Sequence, residues 1–158
     1  MNQASRTRSL DTPHLGQLSW DSASEILLPH GLPGFEEERR MLPVEIPAHR
    51  PLVFLQSVAR PDVCFAALPV NTICPEFDLQ LCEEDRTSLG LTEESPCEVG
   101  ADLLCLAILF PSEGSVESNL AAPVVINLHN SVCVQSVVAG RPPVRYKLSE
   151  AGAWEVAC

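Results

Sequence analysis

The sequence predicts a mainly β protein: an antiparallel β-barrel-like single domain with one or two short helices. Two observations predict it. Short stretches rich in Val, Ile, Leu and Phe recur at intervals of roughly ten residues between Pro, Gly, Asn and Asp, the rhythm of many short sequential strands. Fourteen prolines are spread over 158 residues. Each removes a backbone donor and restrains the residue before it, which leaves little room for long helices. Many sequential strands with little helix favour a barrel or a sandwich over any βαβ arrangement.

Along the chain, residues 1–13 are polar and aperiodic and read as a mobile N-terminal tail. The β domain is expected over residues 14–148, with a C-terminal tail over 149–158. Candidate strands run from His14 to Trp20, Ser24 to Leu28, Arg39 to Ile46, Leu52 to Ala59 and Val63 to Val70, each fenced by nearby proline or glycine. Phe77 to Leu81 alternates apolar and polar residues as a half-buried strand does. Glu83, Glu84 and Asp85 suit the start of a short helix by opposing its macrodipole, and Gly90 suits the residue just past its end. Ala101 to Phe110 is continuously apolar, which predicts a buried strand; the run from Leu103 is far shorter than the ~20 residues of a spanning helix. Val124 to His129 and Val132 to Val138 form a hairpin around Asn130 and Ser131.

The composition narrows the function classes. With 46% hydrophobic and 20% charged residues the chain is globular and can bury a core without disulfides or metals. A net charge of −11 disfavours direct nucleic-acid binding, and serves either solubility alone or the steering of a basic partner. Arg6 and Arg8 have no apolar stretch behind them, so no targeting segment is expected and the protein belongs in the cytoplasm, with no membrane role. Seven cysteines at irregular spacing contain no C-x-x-C pair, and suit small apolar fillers in a reducing compartment.

Chemistry-bearing motifs are sparse. His14, His30, His49 and His129 show no HExxH or other ligand spacing, so no metal or cofactor is expected. No G-x-S-x-G or comparable nucleophile signature occurs, which argues against an enzyme. Gly31-Leu32-Pro33-Gly34 is a turn and not a phosphate cradle, because Pro33 lacks the backbone donor such a loop needs. With Phe35 and Glu36-Glu37-Glu38 it forms a rigid corner, an aromatic anchor beside carboxylates that suit either a solvated turn or a partner-facing patch. From Glu76 to Asp102 there are nine acidic residues against one basic residue, Arg86; this stretch is either a solvated face or a docking surface.

Several stretches, taken in order, resemble the FliW family of flagellar assembly factors over roughly His14 to Lys147. They are HLGQL (14–18), HGLPGFEEE (30–38), PLVFLQS (51–57), PEFDLQL (75–81) and NLAAPVVINLHN (119–130), followed by Tyr146. Phe77 departs from the family's common tyrosine, and the stretch after Ser149 looks additional. The resemblance implies a compact cofactor-free barrel, a monomer when free, with two protein partners. The resemblance further implies that it would bind the translational repressor CsrA away from the repressor's RNA surface and so relieve repression of flagellin mRNA. Flagellin would take it away again, coupling flagellin synthesis to flagellum assembly. A role as a flagellin-holding chaperone without CsrA is the alternative. Candidate partner contacts are Phe35, Glu36, Glu37 and Glu38 at the corner, Glu76, Phe77 and Asp78 in the acidic stretch, and Asn119.

Overall fold

This computed structural model describes residues 6–112, 115–137 and 145–148. The strands are β1 (Thr7–Thr12), β2 (Gly16–Asp21), β3 (Ile26–Leu27), β4 (Arg40–Glu45), β5 (Val53–Ser57) and β6 (Cys64–Pro69). After the one-turn helix α1 (Val70–Ile73) and the short helix α2 (Glu83–Ser88) come β7 (Leu103–Ser112), β8 (Ser115–Asn119), β9 (Val124–Asn127), β10 (Val132–Gln135) and β11 (Arg145–Leu148). Strands β7, β6, β5, β4, β3, β10 and β9 pair in that order, and β9 returns to β7, closing a seven-stranded barrel. Between the barrel strands every pairing is antiparallel except the parallel contact of Leu27 with Val132, which joins β3 to β10. Closure leaves the wall strands no free edge.

The period of two along β7 explains its unbroken apolar run. Leu104, Leu106 and Ile108 face the barrel interior with Met41, Leu55 and Ile126. Leu103, Cys105 and Ala107 face outward, where Val70 and Ile73 of α1 and Leu89 after α2 cover them. A strand buried on both faces has no polar side to show. The segment Phe77–Leu81 is covered by the same logic. Phe77, Leu79 and Leu81 pack onto this outer cluster while Asp78 and Gln80 point to solvent, so the alternation is real. No strand ladder forms there among the described residues, which corrects the expected strand; one-sided burial produces a period of two with or without pairing.

Other differences have equally local causes. Residues 7–12, expected in a mobile tail, form β1 and pair along their length with β2. Their sequence is polar because what holds the hairpin is a buried charge. Arg8 Nη1 donates to both Glu25 carboxylate oxygens at 3.1 Å and Trp20 Nε1 donates to Oε2 at 2.7 Å, with Glu25 almost wholly enclosed. Strand β8 was not expected either, since its Glu117 and Ser118 are buried polar residues without an apolar pattern. α1 is a single turn, too short for helical periodicity to register. The residues 149–158, expected as a tail, lie outside the described residues.

The short helix is fastened from its far end. α2 stops before Gly90, at φ +73°, and the Leu89 carbonyl accepts hydrogen bonds from Asn127 Nδ2 at 2.8 Å and Asn130 Nδ2 at 2.9 Å. Asn127 is buried, and its other amide atom accepts the His129 N–H at 3.0 Å. Replacing Asn127→Ala removes one of the two donors to the Leu89 carbonyl together with the acceptor of the His129 N–H, and is expected to cost about 1–3 kcal/mol. Amide hydrogen exchange over α2 should accelerate more than over β5; equal protection would show that the clamp does not hold the helix.

Candidate partner-binding site

The corner between β3 and β4 is built around two glycines with left-handed backbone. Gly31 has φ +63°, and a Cβ there would lie 2.6 Å from Glu36 Cα, so the corner closes only because nothing projects from that position. Leu32 to Phe35 is a tight turn, with Phe35 N–H donating to the Leu32 carbonyl at 2.7 Å, Pro33 second and Gly34 third at φ +84°. That order of proline and glycine is the signature of a type II turn. The Gly34 N–H donates to Glu36 Oε1 at 3.0 Å and holds that exposed carboxyl below its ordinary pKa.

The three glutamates divide. Glu36 and Glu37 are exposed, whereas Glu38 is only 4% exposed and turned inward. Ser57 Oγ donates to Glu38 Oε2, and the same hydroxyl accepts the N–H groups of Ala59 at 3.2 Å and Arg60 at 3.0 Å. Arg60 Nε lies 3.8 Å from Glu38 Oε1. Glu38 thus ties the corner to the β5–β6 connection, which corrects its reading as a partner contact. Three identical residues in a row carry no sign of which one the turn sends inward.

Phe35 is half-buried, with its ring edge-to-face against Phe65 at 5.0 Å between centroids and 84° between planes. Together with Leu32, Ile108, Phe110 and Ala122 these rings line an apolar mouth of about 270 Å³ at one end of the barrel. Across Pro33 and Gln135 lies a second hollow of about 280 Å³, bordered by His30, Val137 and the carboxylates of Glu36 and Asp85. The structure therefore gathers Phe35, Glu36 and Asp85 in one region. Asp85 comes from α2, some fifty positions along the chain, and only closure of the barrel reveals its proximity. Glu76 and Asp78 are exposed, and Phe77 belongs to the outer cluster, apart from the interior cluster that holds Phe35. Asn119 closes β8 opposite Arg145.

The remaining chemistry is quiet. Burial pushes the Cys105 thiol up to about 12 and raises that of Cys133 also, so neither supplies thiolate near neutrality. Cys74 is disulfide-bonded, which corrects its reading as an unpaired filler. Among the described residues no cluster of three His, Cys, Asp or Glu side chains could hold a metal ion. No helix among them is long and apolar enough to cross a membrane.

A family model described as FliW protein matches residues 9–148. The chain belongs to the FliW family. It is 30% identical over 148 residues to the flagellar assembly factor FliW of Desulfitobacterium hafniense strain Y51, covering 92% of this chain and 95% of that one. The flagellar assembly factor FliW of Carboxydothermus hydrogenoformans is 28% identical over 141 residues, with 88% of each chain covered. In three dimensions the FliW fold is shared with a crystal structure of the flagellar assembly factor FliW, at a TM-score of 0.76 and 22% identity over 89% of this chain and 96% of that one. The family match begins inside β1 and ends with β11, so the first hairpin belongs to the FliW unit and is not an appendage.

Proposed function

We propose that this chain is a cytoplasmic flagellar assembly factor that binds and antagonises a CsrA-type translational repressor and is withdrawn from it by flagellin. The observation that carries this reading is the family match over 9–148, joined by relatives named as flagellar assembly factors. The surface supports it. Glu36, Glu37, Glu76 and Asp78 are exposed, as are Glu83, Glu84, Glu93 and Glu94, on a chain of net charge −11. A basic RNA-binding protein is the partner such a field attracts, and the same field keeps the chain itself off RNA. Half-buried Phe35 and exposed Glu36 and Glu37 are the contacts proposed at the corner, with Glu76 and Asp78 as a second acidic patch.

Titration of purified CsrA is the test. Association is expected at low ionic strength and should weaken steadily between about 50 and 300 mM salt, as the Debye length shortens. Binding that ignores salt would remove the electrostatic part. A chain that binds flagellin but never CsrA would be left with a holding role alone.

A further inference from the structure

We propose that the barrel mouth beside the Gly31–Glu38 corner is a docking pocket for one large apolar side chain, carried on a basic segment of a partner protein. The inference deepens the proposed function and rests on it only for the identity of that partner. The mouth exists because the wall opens there. The β6–β7 ladder ends at Ala67 and Ile108, and β7 then pairs with β8, so Phe65 and Phe110 stand past the last β6–β7 rung. Phe35, Phe65 and Phe110, three of the chain's five phenylalanines, are half-buried around this one hollow of about 270 Å³. Partly exposed aromatic rings around a concave apolar site are the setting in which a single anchor residue contributes most to binding.

Two further observations specify the occupant. Gln135 borders both hollows; its Nε2 donates to the Ala122 carbonyl at 3.1 Å, while its Oε1 is shielded from solvent and has no partner among the described residues. A small rotation would offer that acceptor to a backbone N–H of an incoming chain, as a peptide segment supplies and a hydrocarbon ligand does not. The rim beyond Gln135 carries Glu36 and Asp85. The nearby cation Arg39 is turned away onto the carbonyls of Pro29 and Glu36, which leaves the exposed Glu36 carboxylate open to a basic residue from outside. An apolar anchor with Lys or Arg beside it complements both hollows at once.

The experiment follows backbone amide NMR signals of the full chain with three ten-residue peptides as probes. One places a central Leu between lysines, the second places it between glutamates, and the third has Ser for Leu between lysines. The Lys-flanked Leu peptide is expected to shift Phe35, Phe65, Ile108 and Gln135, with the other two roughly tenfold weaker or silent. Ala122→Phe, which fills the mouth while keeping the backbone carbonyl that Gln135 uses, should weaken binding by roughly tenfold at an unchanged melting temperature. Glu36→Lys, outside the apolar lining, should weaken the Lys-flanked peptide alone and serves if the filled variant does not fold. Shifts elsewhere, no shifts, or shifts that survive Ala122→Phe would overturn the pocket. So would a concentration-dependent dimer lost in Ala122→Phe, which makes a second copy the occupant. Wild-type titration with CsrA separates the two readings: peptide binding without CsrA binding keeps the mouth and removes the repressor, and the converse removes the mouth alone.

Discussion

Glu38→Lys is expected to destabilise the chain by about 3–5 kcal/mol, whereas Glu37→Lys, one residue earlier, should change stability by less than about 0.5 kcal/mol. The difference lies in burial. Glu38 is 4% exposed and accepts the Ser57 hydroxyl that also caps the Ala59 and Arg60 N–H groups, with Arg60 beside it. A lysine there would bring a second cation toward Arg60, remove the acceptor of a buried hydroxyl and place an unpaired charge in the wall. Glu37 is exposed, and its side chain can carry either charge in water. Urea unfolding of the two variants checks the contrast, through midpoints shifted at unchanged slope. Equal midpoints would mean that Glu38 is solvated and the corner is not tied to β5 and β6. The pair also matters for mapping partners: only Glu36 and Glu37 can be reversed in sign without confusing lost binding with lost folding.

Gly31→Ala should be nearly as damaging, at about 2–5 kcal/mol, although it adds a single methyl group. Two effects combine. The backbone at φ +63° disfavours any side chain, and the new Cβ would meet the Glu36 Cα at 2.6 Å and its carbonyl oxygen at 2.7 Å, atoms of backbone that cannot swing aside. Gly34→Ala is the control. Its φ is +84° but nothing among the described residues lies within 4 Å of the added carbon, so only the conformational cost of about 1–2 kcal/mol applies. If the two substitutions prove equal in thermal unfolding, the corner is looser than its close approach indicates. Because Phe35 and Glu36 ride on this corner, Gly31→Ala should also displace them from the mouth, and Gly34→Ala much less.

What was legible in the sequence depended on whether a feature was local. The run at β7 read as a buried strand because both its faces are covered, and the β9–β10 hairpin read from Asn130 and Ser131, where Ser131 takes φ 61°. The end of α2 read from Gly90. The order of the barrel was not legible, since it closes through the lone parallel contact of Leu27 with Val132 and through β7 with β9, pairings that no hydrophobic period announces. The candidate site was half legible. Phe35 and Glu36 stand out in HGLPGFEEE as an anchor on a stiff turn, but Phe65, Phe110, Asp85 and Gln135 complete their surroundings from four separate segments. Glu38 and Glu25 show the converse failure. A buried carboxylate held by hydrogen bonds looks, in one dimension, like any surface acid.

The claim at the centre, a factor passed between two partners, is tested most directly by competition. Labelled CsrA held by this protein is titrated with purified flagellin, and free CsrA is followed by fluorescence anisotropy. Flagellin should release CsrA completely at saturation, and by linkage CsrA should weaken flagellin binding by the same factor. A ternary complex that persists at saturating flagellin, or a chain that never captures CsrA at low salt, would contradict it.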